Sequence, residues 1–134
     1  MRHLKDWIES YLLYQENTEP ARIFDKWAAY SVIASALRKK TFLSLGRIKI
    51  YPNIYIVFVA EPGIARKSQA ISNAMSMLAQ IPEIITSADA STKEALLQDL
   101  EVGATDELMP DGSTFKHSSL CIFSKEFESF LGQK

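Results

Sequence analysis

Apolar residues recur three or four positions apart at the start of the chain, the spacing that gathers side chains on one face of a helix. Leu4, Trp7, Ile8, Tyr11 and Leu12 predict a first helix over 4–15. Residues 16–20 (Glu-Asn-Thr-Glu-Pro) interrupt the pattern, with Asn17 or Thr18 able to cap and Pro20 suited to a first helical turn. The spacing resumes and predicts a second helix over 20–39 that buries Ile23, Trp27, Tyr30, Ile33, Ala34 and Leu37. Arg38 and Lys39 stand in its last turn, where the dipole favours cations.

Beyond Lys40 the pattern changes. Residues 42–45 and 48–51 are rich in apolar and β-branched side chains and flank Gly46 and Arg47, which predicts a short hairpin. Pro52 and Asn53 punctuate the chain. Residues 54–60 (Ile-Tyr-Ile-Val-Phe-Val-Ala) then form an unbroken apolar run, expected as a central strand covered on both faces in a parallel sheet. Helical spacing returns at Ile71, Ala74, Met75 and Leu78 and lasts until Pro82. Residues 84–86 predict a second strand. Ser91, Thr92, Lys93 and Glu94 form a capping box for a helix to about Glu101, with Ala95, Leu96, Leu97 and Leu100 inward. Residues 102–115, with two glycines, a proline and several acids, read as a loop; 119–123 read as a third buried strand and 126–131 as the start of a helix. The order βαβαβ implies a parallel sheet with right-handed crossovers. A helical segment over 1–40 would precede an α/β core over 41–134.

Composition narrows the class. The chain has 134 residues, of which 47% are hydrophobic and 23% charged, with a formal net charge of -1. That fits a globular unit with its own core and argues against a wholly basic nucleic-acid coat protein. The longest apolar run is far short of the ~20 residues that span a bilayer as a helix. No signal-peptide pattern opens the chain, and the single cysteine, Cys121, cannot form an internal disulfide, so a cytoplasmic location is expected.

The informative stretch lies between the apolar run and the third helix: Glu61, Pro62, Gly63, Ile64, Ala65, Arg66, Lys67, Ser68 and Gln69. Phosphate binding needs backbone N–H groups converging at a helix N-terminus, a lysine for the β and γ oxygens, and a hydroxyl for Mg²⁺. Gly63, Lys67 and Ser68 stand where those parts are needed. The two glycines of the usual G-x-x-x-x-G-K-[ST] pattern would fall at Glu61 and Arg66, and neither is glycine. The plain alternative is a strand-to-helix connection with Lys67 solvated. No G-x-G-x-x-G occurs to suggest a dinucleotide fold.

The segment 51–68, with Tyr51-Pro52-Asn53, Ala60-Glu61-Pro62-Gly63 and Arg66-Lys67-Ser68, together with Ser87-Ala88-Asp89 and Ser91 through Leu96, resembles the phage and prophage P-loop ATPases of the DnaB-like or RecA-like helicase type. Those proteins include a variant Walker A ending in Arg-Lys-Ser. The resemblance implies a RecA-like P-loop NTPase fold, a parallel sheet with helices on both faces preceded here by two helices and a hairpin. It also implies ATP and Mg²⁺ as cofactors, hydrolase activity dependent on nucleic acid in DNA replication, single-stranded DNA as partner, and a ring of identical subunits. RecA-like cores carry further strands after the third one, so the chain is expected to be the N-terminal part of a longer protein. A nucleotide-binding module without turnover and a P-loop small-molecule kinase are the alternatives.

Hydrolysis would need acids at the ends of neighbouring strands. Asp89, after the second strand, is a candidate to activate water, or simply a loop residue before a helix. Glu126, after the third strand, is the candidate for Mg²⁺ beside Ser68, or an acid favourable to a helix N-terminus. Arg38, Lys39, Lys40, Arg47 and Lys49 form a basic cluster, read either as a phosphate-backbone contact or as a solvated hairpin face. Tyr51 and Tyr55 could stack on a base or pack. His3 and His117 lack partners at ligand spacing, and Cys121 reads as a small core residue.

Overall fold

The computed structural model describes residues 5–87, 92–108 and 112–126. Asp6 starts α1 (Trp7–Tyr14) by accepting a hydrogen bond from the Glu9 N–H at 3.1 Å, and Tyr11 and Leu12 turn inward. α2 (Arg22–Leu37) follows and packs on α3 (Lys67–Leu78).

The face of α2 that enters the core differs from the expected one. Ala28, Ala29 and Val32 are buried there, while Ile23 is 54% exposed and Trp27 46%. Ala28 and Val32 of α2 cluster with Ala74 and Leu78 of α3, so the two helices pack closely through small side chains, and Ile23 and Trp27 are left facing outward. Phe123 completes the cluster, with Trp7, Phe58, Ile71 and Met75 against it. Leu78 is fully buried, so Leu78→Ala should cost about 2–5 kcal/mol.

β1 (Leu43–Leu45) and β2 (Ile48–Ile50) form the expected hairpin, pairing Leu43 with Ile50 and Leu45 with Ile48, and Gly46 takes the positive φ of the turn. All six strand residues are exposed. The run 54–60 departs most from expectation, because it joins no ladder among the described residues. Tyr55 is 95% exposed and Val59 82%. Phe58 alone of the run reaches the core cluster, stacking on Phe24 with ring centroids 4.8 Å apart. Continuous hydrophobicity marked a segment able to be buried on both sides; it did not supply the neighbouring strands.

The second half is built from β3 (Thr86–Ser87), α4 (Lys93–Val102), β4 (Ala104–Leu108), β5 (Thr114–Ser118) and β6 (Cys121–Ile122). β3 and β6 pair in parallel, Thr86 with Cys121 and Ser87 with Ile122, as the order of elements implied. Thr92 caps α4 by accepting from the Ala95 N–H; Ser91 lies outside the described residues, and Leu97 is exposed rather than inward. The expected loop over 102–115 is in part a hairpin, β4 against β5 in antiparallel register from Ala104↔Ser118 to Leu108↔Thr114. Alternating Thr105, Glu107, Phe115 and His117 face one side of it, and charged residues hid that period. The helix expected over 126–131 lies outside the described residues from 127 onward.

The protein is therefore mixed α/β, with four helices and three two-stranded sheets among the described residues. No helix among them is long and apolar enough to cross a membrane.

Candidate phosphate-binding loop

The chain leaves the apolar run at Ala60 and enters α3 at Lys67 through an exposed turn, Glu61 to Ile64. Two residues between Ala60 and Lys67 have left-handed backbones, Gly63 at φ 79° and Arg66 at φ 48°, ψ 41°. Gly63 adopts that region freely. Arg66 does so at a cost on the order of 1–2 kcal/mol for a residue with a Cβ, and it does so at the position where the usual phosphate-loop pattern has glycine. Sequence matching failed at Arg66, yet the backbone there has the conformation a glycine would favour.

Arg66 is the N-cap of α3 and offers no side-chain cap. Its carbonyl accepts from the Gln69 N–H at 3.0 Å and more weakly from Ala70 at 3.4 Å. The N–H groups of Lys67 and Ser68 have no intrahelical partner and sit at the positive end of the helix dipole. Lys67 is half-buried, and its Nζ donates to the Ala60 carbonyl at 2.8 Å. Ser68 is exposed. Gln69 donates to Asn73 Oδ1 at 2.8 Å, and Asn73 in turn donates to Gln15 Oε1 at 2.9 Å, linking the first turn of α3 to the end of α1.

Two further contacts join the loop to the connection between α1 and α2. The Ala21 N–H donates to the Ala65 carbonyl at 3.3 Å, and Arg66 Nε lies 2.9 Å from Glu19 Oε2. Glu126 is exposed just beyond β6, with its backbone carbonyl accepting from Ser124 Oγ at 2.8 Å. Asp89 lies outside the described residues. Among the described residues no group of three or more His, Cys, Asp or Glu is placed to hold a metal. A Mg²⁺ ion carried by a nucleotide needs only one or two protein oxygens beside phosphates and waters. The exposed Ser68 hydroxyl fits that limited requirement.

Sequence reasoning missed a second polar cluster. Arg38 is not part of a solvated cationic face: its side chain is 9% exposed, and Nη2 lies 2.8 Å from Glu107 Oε1. Lys40 Nζ reaches the same oxygen at 2.9 Å, and buried His117 lies 3.4 Å from Glu107 Oε2, with Ser119 Oγ 3.0 Å from its Nδ1. Burial pushes the Glu107 carboxyl up, but the hydrogen bonds from Lys40 and His117 and the charges of Arg38 and Lys40 hold it below its ordinary value. Lys39 sits over Tyr51 and Lys49 over Phe42, so Tyr51 packs within the protein while Tyr55 is open. Arg47 is exposed at the turn. The expected basic cluster is thus divided among three environments. Cys121 is half-buried as a core residue, and burial pushes its thiol up.

Asp25 was also unforeseen. It is 3% exposed on the packed face of α2, its Oδ1 has no hydrogen-bond partner, and burial raises its pKa to about 6. Burial, followed by the Asp25 charge, pushes nearby Tyr11 up to about 12, with Gln15 acting in the opposite direction.

No family model matches the chain, and neither does any curated protein or solved structure.

Proposed function

We propose that residues 61–69 bind the phosphates of ATP, and that the chain forms the nucleotide-binding part of a nucleic-acid-dependent ATPase of the phage replicative helicase type. The observation that carries this reading is the geometry at the start of α3. Lys67 opens the helix behind two left-handed residues, Gly63 and Arg66, and its ammonium is turned back on the loop carbonyl of Ala60. A phosphate placed at the free N–H groups of Lys67 and Ser68 would meet that ammonium, and Ser68 would supply a hydroxyl to Mg²⁺. The metal would neutralise phosphate charge and polarise the reacting phosphoryl group. Single-stranded DNA as partner and a ring of subunits follow from the resemblance of the Arg66-Lys67-Ser68 segment and belong to this proposal.

Calorimetric titration with ATP and Mg²⁺ tests it. Lys67→Ala should abolish most of the affinity with an unchanged circular-dichroism spectrum, and Ser68→Ala should weaken only the Mg²⁺-dependent part. Equal ATP affinity in the wild type and Lys67→Ala would overturn the assignment. Binding without turnover is the second reading, favoured by the exposed position of Glu126. ATP hydrolysis stimulated by single-stranded DNA, slowed by Glu126→Gln, would exclude it.

A further inference from the structure

We propose that Glu19 is a built-in competitor for the nucleotide's phosphates, holding Arg66 until ATP displaces it, so that the connection between α1 and α2 acts as a latch on the loop. The inference rests on the phosphate-binding reading of residues 61–69.

A carboxylate and a phosphate oxygen compete for the same guanidinium, because both accept its planar set of donors. Arg66 precedes Lys67 in the loop, and Glu19 Oε2 lies 2.9 Å from its Nε. Both side chains are largely exposed, 54% for Arg66 and 70% for Glu19, so the ion pair is screened and readily exchanged. A buried pair would be too costly to open for this purpose. The neighbouring backbone bond from Ala21 to Ala65 keeps Glu19 in register with Arg66. Lys67, too, is held by an internal acceptor, the Ala60 carbonyl. Both cations of the loop therefore have protein acceptors that a triphosphate would replace.

The exchange makes nucleotide binding and release of the 16–21 segment reciprocal. ATP that takes Arg66 frees Glu19, and anything that keeps Glu19 on Arg66 weakens ATP. Arg22, at the start of α2, also pairs with Glu9 of α1 at 3.3 Å, so a change in the connection can pass to the first helix.

The test is a double-mutant cycle on ATP affinity with Glu19→Gln, Arg66→Gln and both together, with Lys67→Ala alongside. Removing a competing exposed ion pair should tighten ATP about two- to fivefold in Glu19→Gln. Arg66→Gln should weaken ATP, and Glu19→Gln should then add nothing in its background. Amide exchange over 16–21 should rise when ATP binds the wild type and stay unchanged when it binds Arg66→Gln. If Lys67→Ala loses affinity but Glu19→Gln leaves it unaltered, the latch is wrong and the phosphate loop stands. A gain from Glu19→Gln that persists with Arg66→Gln would also overturn the latch, since Glu19 would then act only through its general charge. Wild type and Lys67→Ala that bind ATP equally, or not at all, would overturn the loop assignment and the latch together.

Discussion

Lys67 Nζ donates to the carbonyl oxygen of Ala60 at 2.8 Å, joining the first residue of α3 to the last residue of the apolar run. The ammonium thus braces the loop while standing where a phosphate would need it. Lys67→Arg should keep a donor for Ala60 and leave the melting temperature nearly unchanged. It should nevertheless weaken ATP binding about tenfold or more, because a planar fork does not replace a compact ammonium inside a tight loop. Thermal melting and ATP titration on the same samples check both parts.

Asp25 makes stability depend on pH in an unusual direction. Its folded pKa of about 6 lies above the ordinary 3.8, so the folded protein holds this proton more tightly than the unfolded chain does. The group's effect on stability is most favourable below pH 3.8 and worsens as pH rises toward 6, and the penalty remains above that. Asp25→Asn should therefore stabilise the protein at pH 7.5 by roughly 1–3 kcal/mol, the cost of an unpaired buried group. The advantage should vanish near pH 3.5. Denaturant unfolding at the two pH values measures it, and an Asp25→Asn protein less stable than wild type at pH 7.5 would contradict the account.

Glu107 should show the opposite slope. Its folded pKa is lowered, so the stability it contributes is fully present above 4.5, its ordinary value, and is lost as pH falls through the folded value. Glu107→Gln leaves the nearly buried Arg38 without its counter-charge and should cost about 3 kcal/mol at pH 7. The difference from wild type should shrink in acid.

The open run should drive self-association. Val57 is 63% exposed beside Tyr55 and Val59, and the run has no ladder partner among the described residues. An exposed apolar stretch whose backbone lies outside any ladder is open to pairing with other chains. Val57→Lys should shift sedimentation toward the monomer at concentrations where the wild type associates, with no loss of helical signal. A wild type that stays monomeric at high concentration would refute this.

Much of the local order was legible because it depends on neighbours in sequence. The hairpin at Gly46 and the α3 start at Lys67 follow from side chains within a few positions of one another. The parallel pairing of β3 with β6 was also implied by the alternation of strand and helix. The β4–β5 hairpin escaped because Asp106, Glu107 and Lys116 made an alternating pattern look like a solvated loop.

The candidate loop was visible through residue types, Gly63, Lys67 and Ser68, since those are the groups that phosphate binding at a helix start requires. The left-handed Arg66 and its contact with Glu19 were not visible, because one is a backbone torsion and the other joins residues far apart in sequence.

By itself, the sequence determined roughly where helices lie, which turns the chain can make and which connection sets Gly63, Lys67 and Ser68 at a helix start, because those depend on short-range sterics, capping and residue type. Tertiary structure alone decided which face of α2 is buried. Periodicity marks the stripe of Ile23, Trp27 and Tyr30, and only the packing of Ala28 and Val32 with Ala74 and Leu78 turns a different face inward. It also decided that Arg38, Lys40 and His117 converge on Glu107, and that residues 54–60 make no ladder among the described residues. Burial and pairing require partners brought together from distant parts of the chain, and no local pattern specifies them.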